Sequence, residues 1–298
     1  MFERIFAESG LSLDRLRALL EVGAAGSIVK AASADPIKQS QYSRQIKELE
    51  DFFRTRLIER HGKGTRLTAS GKELARISRF FMMGLSNFQR GCLAEEQTFR
   101  IGASATFIRQ FLLPVLSGPS LKKAGTSYVT EVTPDEELER RLHDLTLDFG
   151  VVGSAVLSRP LQTRFLGEWK LELWVPKCLR LSETKAVQAF EQRRLPLVLA
   201  RELDWSSASL PGYEPGLVCD SFLDSRAALE GEEIAAILPG FLAPSKASQS
   251  FMRVHIPKLD SQAFGFHLAW NPRLVRLNPH AVRRRDWLAD ALSERMAA

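Results

Sequence analysis

Apolar positions recur at three- and four-residue steps through roughly the first third of the chain and then give way to short apolar runs. Ile46 and Leu49 fall on one helical face behind the polar run Gln39, Ser40, Gln41, Ser43 and Arg44. Leu74, Ile77, Phe81, Leu85 and Phe88 form a longer stripe, with Arg76, Arg79 and Arg90 elsewhere on the cylinder, which predicts a helix over 69–95. From Thr98 the texture predicts strands at 99–102, 128–132, 147–152, 171–175, 195–200, 234–238 and 264–270. Helices are predicted at 106–116, 135–142, 221–229 and 279–296. The alternation through the first three of these strands and the helices between them implies a parallel sheet covered on both faces.

The segment from Ser27 to Thr68 carries the most specific pattern. Ala31 and Ala32 supply the small side chains that let a second helix cross closely. Pro36 is expected to stop the first helix, the turn to occupy 34–38 and the next helix to begin at Gln39. Glutamine matches the donor–acceptor pair of adenine, arginine matches the two acceptors of guanine, and serine suits a phosphate oxygen. Beyond Leu57 and Ile58, the sequence His61-Gly62-Lys63-Gly64 suits a hairpin tip that brings a cation to the DNA backbone or minor groove. Together these features predict a winged helix-turn-helix; a charged helix with a basic loop is also a common solvated surface.

The ordered residues Gly26-Ser27, Ala31-Ala32, Gln39, Ser43 to Ile46, Leu49-Glu50, Leu57, Glu59-Arg60, Leu67-Thr68 and Gly71 resemble the N-terminal pattern of LysR-type transcriptional regulators. Two positions depart from it. Ser40 stands where that family usually has proline. Arg54 stands where a glycine usually closes the second helix, so a left-handed cap there would strain a residue with a Cβ. The DNA-binding set is therefore Gln39, Ser40, Gln41, Ser43, Arg44, Arg54, Arg60 and Lys63. The resemblance also implies that the stripe Leu74, Ile77, Phe81, Leu85 and Phe88 is a dimer interface formed by antiparallel pairing of linker helices. The alternative is a helix packed on its own domain.

The resemblance extends, more loosely, through Arg100 to Ser104, Leu147 to Gly153 and Ile237-Leu238-Pro239, which look like that family's effector-binding region. It implies an α/β fold: an N-terminal winged helix-turn-helix (1–68), a linker helix (69–96) and a two-lobed, periplasmic-binding-protein-like effector domain (97–298). Lobe I is assigned 97–167 and 260–298, lobe II 168–259, with crossovers near Gly167 and Leu259. Effectors would lie between the lobes, beyond the carboxyl ends of strands. Ser104, Ala105 and Thr106 form a turn entering a helix, suited either to an effector carboxylate or to ordinary N-capping. Thr133 and Ser154 are candidates on the same lobe. Arg201, Asp220 and Ser221 are candidates across the cleft, with an Arg201–Glu202 surface ion pair as the alternative.

Composition narrows the partners. Lys+Arg number 41 against 35 Asp+Glu, a formal +6. The segment 38–79 holds 11 Lys or Arg against 5 Asp or Glu and so carries all of that excess, as expected of a surface that meets phosphate. Cys92, Cys178 and Cys219 lack paired zinc-ligand spacing and suit reduced thiols. The N-terminus lacks a secretory pattern and no run suits a bilayer, so a cytoplasmic protein with no membrane partner is expected. No Gly-framed nucleophile, phosphate loop or metal pair accompanies the five histidines, and neither an enzyme nor a resident cofactor is expected. The reading is a sequence-specific transcriptional regulator, homodimeric or homotetrameric, on double-stranded operator DNA. A small anionic effector and RNA polymerase are further expected partners. A cytosolic solute-receptor-type binder and an effector-free architectural DNA-binding protein are the alternatives.

Overall fold

The computed structural model describes residue 5 and residues 10–61, 64–93, 97–118, 126–153, 156–205, 213–231, 233–245 and 247–297. The chain divides into two compact units, residues 1–95 and 96–298.

The first unit is built on three helices, a hairpin and a long helix. Helix α1 (Leu13–Ala25) is capped by Ser12, whose hydroxyl accepts from Arg15 N, and closes on Gly26 in the left-handed conformation. The single-turn α2 (Ile28–Ala31) follows, and then α3 (Pro36–Phe53). Helix α3 starts earlier than the sequence pattern suggested, because Pro36 opens this helix and does not terminate the previous one. A missing N–H costs nothing in a first turn, and the Asp35 carboxylate accepts from Ile37 N at 2.9 Å and Lys38 N at 3.4 Å. At its far end Arg54 takes the left-handed conformation, φ 53°, so the turn that glycine usually makes in the family is kept with a Cβ present.

Strands β1 (Ile58–His61) and β2 (Gly64–Leu67) pair antiparallel, and α4 (Ala69–Leu93) runs on from them. Leu16, Leu19, Leu49, Leu57 and Ala75 form the core of this unit. Gly71 is required by close approach: a Cβ there would lie 2.0 Å from the Leu57 carbonyl oxygen.

Among the described residues the second unit holds nine strands in one sheet. These are β3 (Gln97–Ala103), β4 (Thr126–Val132), β5 (Phe149–Val152), β6 (Gln162–Pro176), β7 (Leu197–Ala200), β8 (Leu217–Cys219), β9 (Ala235–Pro239), β10 (Phe251–Val254) and β11 (Ala263–Trp270). Their order is β4-β3-β5-β11-β6-β9-β7-β8, with β10 also on β6. The parallel pairing expected of the first three strands is present, and the sheet as a whole is mixed. Each end is parallel, β3 with β4 and β5, and β7 with β8 and β9. The long β6 and its neighbour β11 run antiparallel through the middle and join the two ends. A chain that builds two parallel lobes and passes between them must do so on strands shared by both, and β6 does this by pairing β11 along 162–170 and β9 along 171–174.

Residues 105–116 form α5, an α-turn at Ala105–Phe107, a π-turn at Ile108–Leu112 and an α-turn at Leu113–Leu116. The π-turn ends two residues before Pro114, which has no N–H to continue the ladder. Helices α6 (Asp135–His143), α7 (Glu183–Glu191) and α8 (Phe222–Glu230) pack on the lobes. The second lobe's core gathers Leu171, Leu173, Phe190, Leu197, Ile237 and their neighbours, and a smaller cluster in the first centres on Leu138, Leu142 and Leu147.

Candidate nucleic-acid interface and ligand cleft

Helix α3 separates its chemistry by face. Ile46 and Leu49 are 1% and 0% exposed, while Ser40, Gln41, Ser43, Arg44 and Lys47 are exposed and Gln39 is half-buried. The buried face fixes the helix against α1 and α2. Two side-chain contacts add to that packing. The Tyr42 hydroxyl donates to Glu21 on α1, a bond that raises its phenol above the ordinary value, and Glu48 pairs Arg15 of α1 at 2.5 Å. Arg44 reaches Glu48 only at 3.7 Å with its side chain 75% exposed. Arg60 is exposed on β1, paired in register with Thr65, and Arg54 is exposed at the end of α3. Lys63 lies outside the described residues.

Glu50 is a contact that sequence reasoning passed over as part of a motif. Its Oε1 accepts from Leu57 N at 2.7 Å and Ile58 N at 3.2 Å. Thr65 N donates to the Gly26 carbonyl at 3.0 Å, and together these bonds hold the hairpin against the helical part of the unit.

Along α4 the stripe divides. Leu74 packs with Met82 against its own unit's core, so it does not belong with the outward residues. Ile77, Phe81, Leu85 and Phe88 remain outward, with Phe88 74% exposed.

In the second unit a cleft of about 310 Å³ lies where β6 and β11 pass between the lobes. Ser104 and Thr106 at the start of α5, Asp135 and Gly153, Trp169 on β6, Glu202 to Asp204, Phe222, Phe241 and Phe264 to Phe266 line it. Trp169 stacks on Phe264 with centroids 4.7 Å apart and on Phe266 at 5.5 Å.

The amide seat expected to take an effector carboxylate is filled by the chain itself. Thr106 N donates to Glu202 Oε1 at 3.0 Å and Phe222 N donates to Glu202 Oε2 at 3.1 Å. One carboxylate therefore spans the positive N-terminal ends of α5 and α8, one from each lobe. The flanking hydroxyls act as caps. Ser104 Oγ accepts from Phe107 N at 3.2 Å and Ser221 Oγ accepts from Asp224 N at 3.1 Å.

Other expected cleft residues lie elsewhere. Arg201 pairs Asp220 on the surface at 3.2 Å, their side chains 72% and 86% exposed, and neither lines the cleft. Ser221 and Ala105 also fall outside the lining. Thr133 is buried and bonded within its lobe, its N–H to Ala103 O and its hydroxyl to Glu131 O. Ser154 lies outside the described residues.

The charge of the cleft runs against an anionic ligand. Asp135, Glu202 and Asp204 are acidic, and no described lining residue is Lys, Arg or His. Asp135 keeps open surface, yet the protein around its carboxyl displaces water and, with the negative Glu202, raises its pKa; the Gly153 N–H at 3.2 Å opposes this. Two buried polar atoms on cleft residues, Thr106 Oγ1 and Trp169 Nε1, have no hydrogen-bond partner.

A cationic winged helix-turn-helix and a two-lobed ligand cleft on one chain define a DNA-binding transcriptional regulator with an effector domain. Residues 13–72 match the family of bacterial regulatory helix-turn-helix proteins, lysR family, and residues 94–293 match the LysR substrate binding domain. The chain belongs to the LysR family of transcriptional regulators. It is 26% identical over 214 residues to the HTH-type transcriptional regulator HdfR of Salmonella newport, covering 67% of this chain and 77% of that protein. A full-length OxyR variant from Pseudomonas aeruginosa superposes with TM-score 0.66 at 18% identity, over 96% of this chain and 95% of that one. Full-length LysG from Corynebacterium glutamicum with bound effector Arg gives 0.65 at 18% identity, over 95% and 99%.

Proposed function

We propose that the exposed face of α3, from Gln39 through Arg44, reads operator bases in the major groove while Arg54, Arg60 and Lys63 hold phosphates. The single supporting observation is the facial split of α3, whose polar edge stands clear while Ile46 and Leu49 fix its orientation. A helix so mounted presents several side chains to base edges in one fixed register. The outward residues of α4, Ile77, Phe81, Leu85 and Phe88, pair with a second copy, so two reading helices meet two half-sites related by a two-fold axis. The pair works in the cytoplasm, where the operator is, alone or as a dimer of dimers. A small molecule in the cleft of the second unit alters the DNA geometry by its differential affinity for two lobe arrangements.

Fluorescence anisotropy with genomic fragments upstream of the protein's own gene, against random duplex of equal length, tests this reading. The expected result is tighter binding to one fragment, with affinity on both DNAs falling steeply with salt. Equal affinity for every duplex at every salt concentration would leave only an architectural DNA-binding protein.

A further inference from the structure

We propose that the cleft is a receptor for a small organic cation, its carboxylate seat being filled by Glu202 of the chain itself. This deepens the effector reading above and rests on it. The seat is described by two bonds, Thr106 N and Phe222 N to the two oxygens of Glu202, at 3.0 and 3.1 Å. An anionic ligand entering the cleft meets those amides already engaged and faces Asp135, Glu202 and Asp204 with no described basic lining residue to receive it.

A cation meets the opposite situation. A carboxylate has about four lone-pair directions, so each oxygen of Glu202 can accept from an ammonium as well as from its backbone donor. Asp135, close enough to Glu202 for their charges to interact, supplies the second acid. The body of the ligand lies against Trp169, Phe241 and Phe266, an apolar and aromatic wall that favours cations over anions through the ring quadrupoles.

A cleft of about 310 Å³ sits at the small end of ligand pockets. The ligand class is thus a compact organic amine with an apolar or aromatic body.

Titration calorimetry on the full-length protein without DNA tests the proposal with tyramine as the cation, 3-(4-hydroxyphenyl)propionate as its near-isosteric anion and 4-ethylphenol as the uncharged control. Saturable binding of tyramine alone is expected, weakened about tenfold by Asp135→Asn and by Glu202→Gln. Glu202→Ala vacates both amides and is expected to reverse the preference, admitting the propionate; a purely structural role for Glu202 gives no such reversal. Glu202→Gln keeps the shape and one acceptor, so it stands in if the alanine variant does not fold. Propionate binding to the unsubstituted protein as tightly as tyramine, unchanged tyramine affinity in Glu202→Gln, or no tyramine binding at millimolar concentration overturns the proposal. Anisotropy of the same samples with DNA is read separately. Selective DNA binding without tyramine binding removes the cation receptor and keeps the regulator, and the converse removes the regulator alone.

Discussion

Glu50 and Leu57 join α3 to the hairpin: the carboxylate on the last turn of α3 accepts the Leu57 N–H at 2.7 Å, and the Ile58 N–H shares the same oxygen. Both amides lie at the start of the hairpin, where Ile58 stands opposite Leu67 of β2. Glu50→Ala leaves two donors short of a partner in a half-buried site, which costs about 1–3 kcal/mol. The N-terminal unit is expected to melt earlier and DNA affinity to fall as the hairpin loses its fixed angle. Glu50→Gln keeps an acceptor and is expected to recover most of the loss. Identical melting curves for Glu50→Ala and the unsubstituted protein would refute the coupling.

Arg44 is held loosely on α3. Its partner Glu48 has a closer cation in Arg15, 2.5 Å against 3.7 Å, so swinging Arg44 into a groove leaves no carboxylate unpaired. Arg44→Ala is expected to change stability by less than about 0.5 kcal/mol, as at most exposed sites. It is expected to weaken operator binding by about 1–3 kcal/mol while affecting random duplex less. Equal losses on both duplexes would identify Arg44 as a phosphate anchor.

Arg54 occupies the left-handed region at φ 53°, ψ 37°, where a residue with a Cβ is disfavoured by about 1–2 kcal/mol. Part of that strain is offset by glycine's greater freedom in the unfolded chain. Arg54→Gly is expected to raise stability by about 1 kcal/mol net while lowering DNA affinity and reducing the salt slope by about 1. Denaturant unfolding and a salt titration on the same preparation read the two effects, and a variant that is less stable and binds DNA equally well contradicts both.

Ile77, Phe81, Leu85 and Phe88 leave a spaced apolar stripe 45–74% exposed on α4. Phe81→Glu with Phe88→Glu places two like charges at the centre of any pairing across that stripe, and sedimentation is expected to show a shift from dimer to monomer with helical circular dichroism kept. A dimer that persists in the double variant would move the interface elsewhere.

Helix α3 was legible in the sequence because its constraints are local: a cap, a three- or four-residue stripe, and small residues where helices cross. Pro36 was misread because proline both ends and begins helices, and only the carboxylate of Asp35 accepting from Ile37 and Lys38 decides which. The left-handed cap at Arg54 was visible as a departure from the family glycine, whereas its retention with a Cβ was not. In the second unit the first half of β6 escaped notice since Arg164, Glu168 and Lys170 break the apolar run, and its pairing with β11 comes from residues about a hundred positions away. Glu202 left no local signal at all. Its role depends on Thr106 and Phe222, 96 and 20 positions distant, and an adjacent arginine made it read as half of a surface pair.

Asp135 gives the cleft a pH dependence whose sign follows from its surroundings. Desolvation raises its carboxyl pKa, the negative Glu202 adds to the rise, and the Gly153 N–H only partly opposes it. A carboxyl raised in the folded state contributes stability that is fully present below its unfolded value, near 3.8, and is lost as pH rises through the folded value. At neutral pH the ionised group therefore weakens the ligand-free protein. Asp135→Asn keeps an acceptor for Gly153 and removes the charge, so its melting temperature is expected to exceed that of the unsubstituted protein at pH 7. The gap is expected to close as pH falls toward 4. Adding tyramine, which neutralises the acids without protonating them, is expected to close the same gap at pH 7 from the other side. A variant less stable than the unsubstituted protein at pH 7 and equal to it at pH 4 would mean that the Asp135 carboxylate stabilises the fold, contrary to the sign derived from its surroundings.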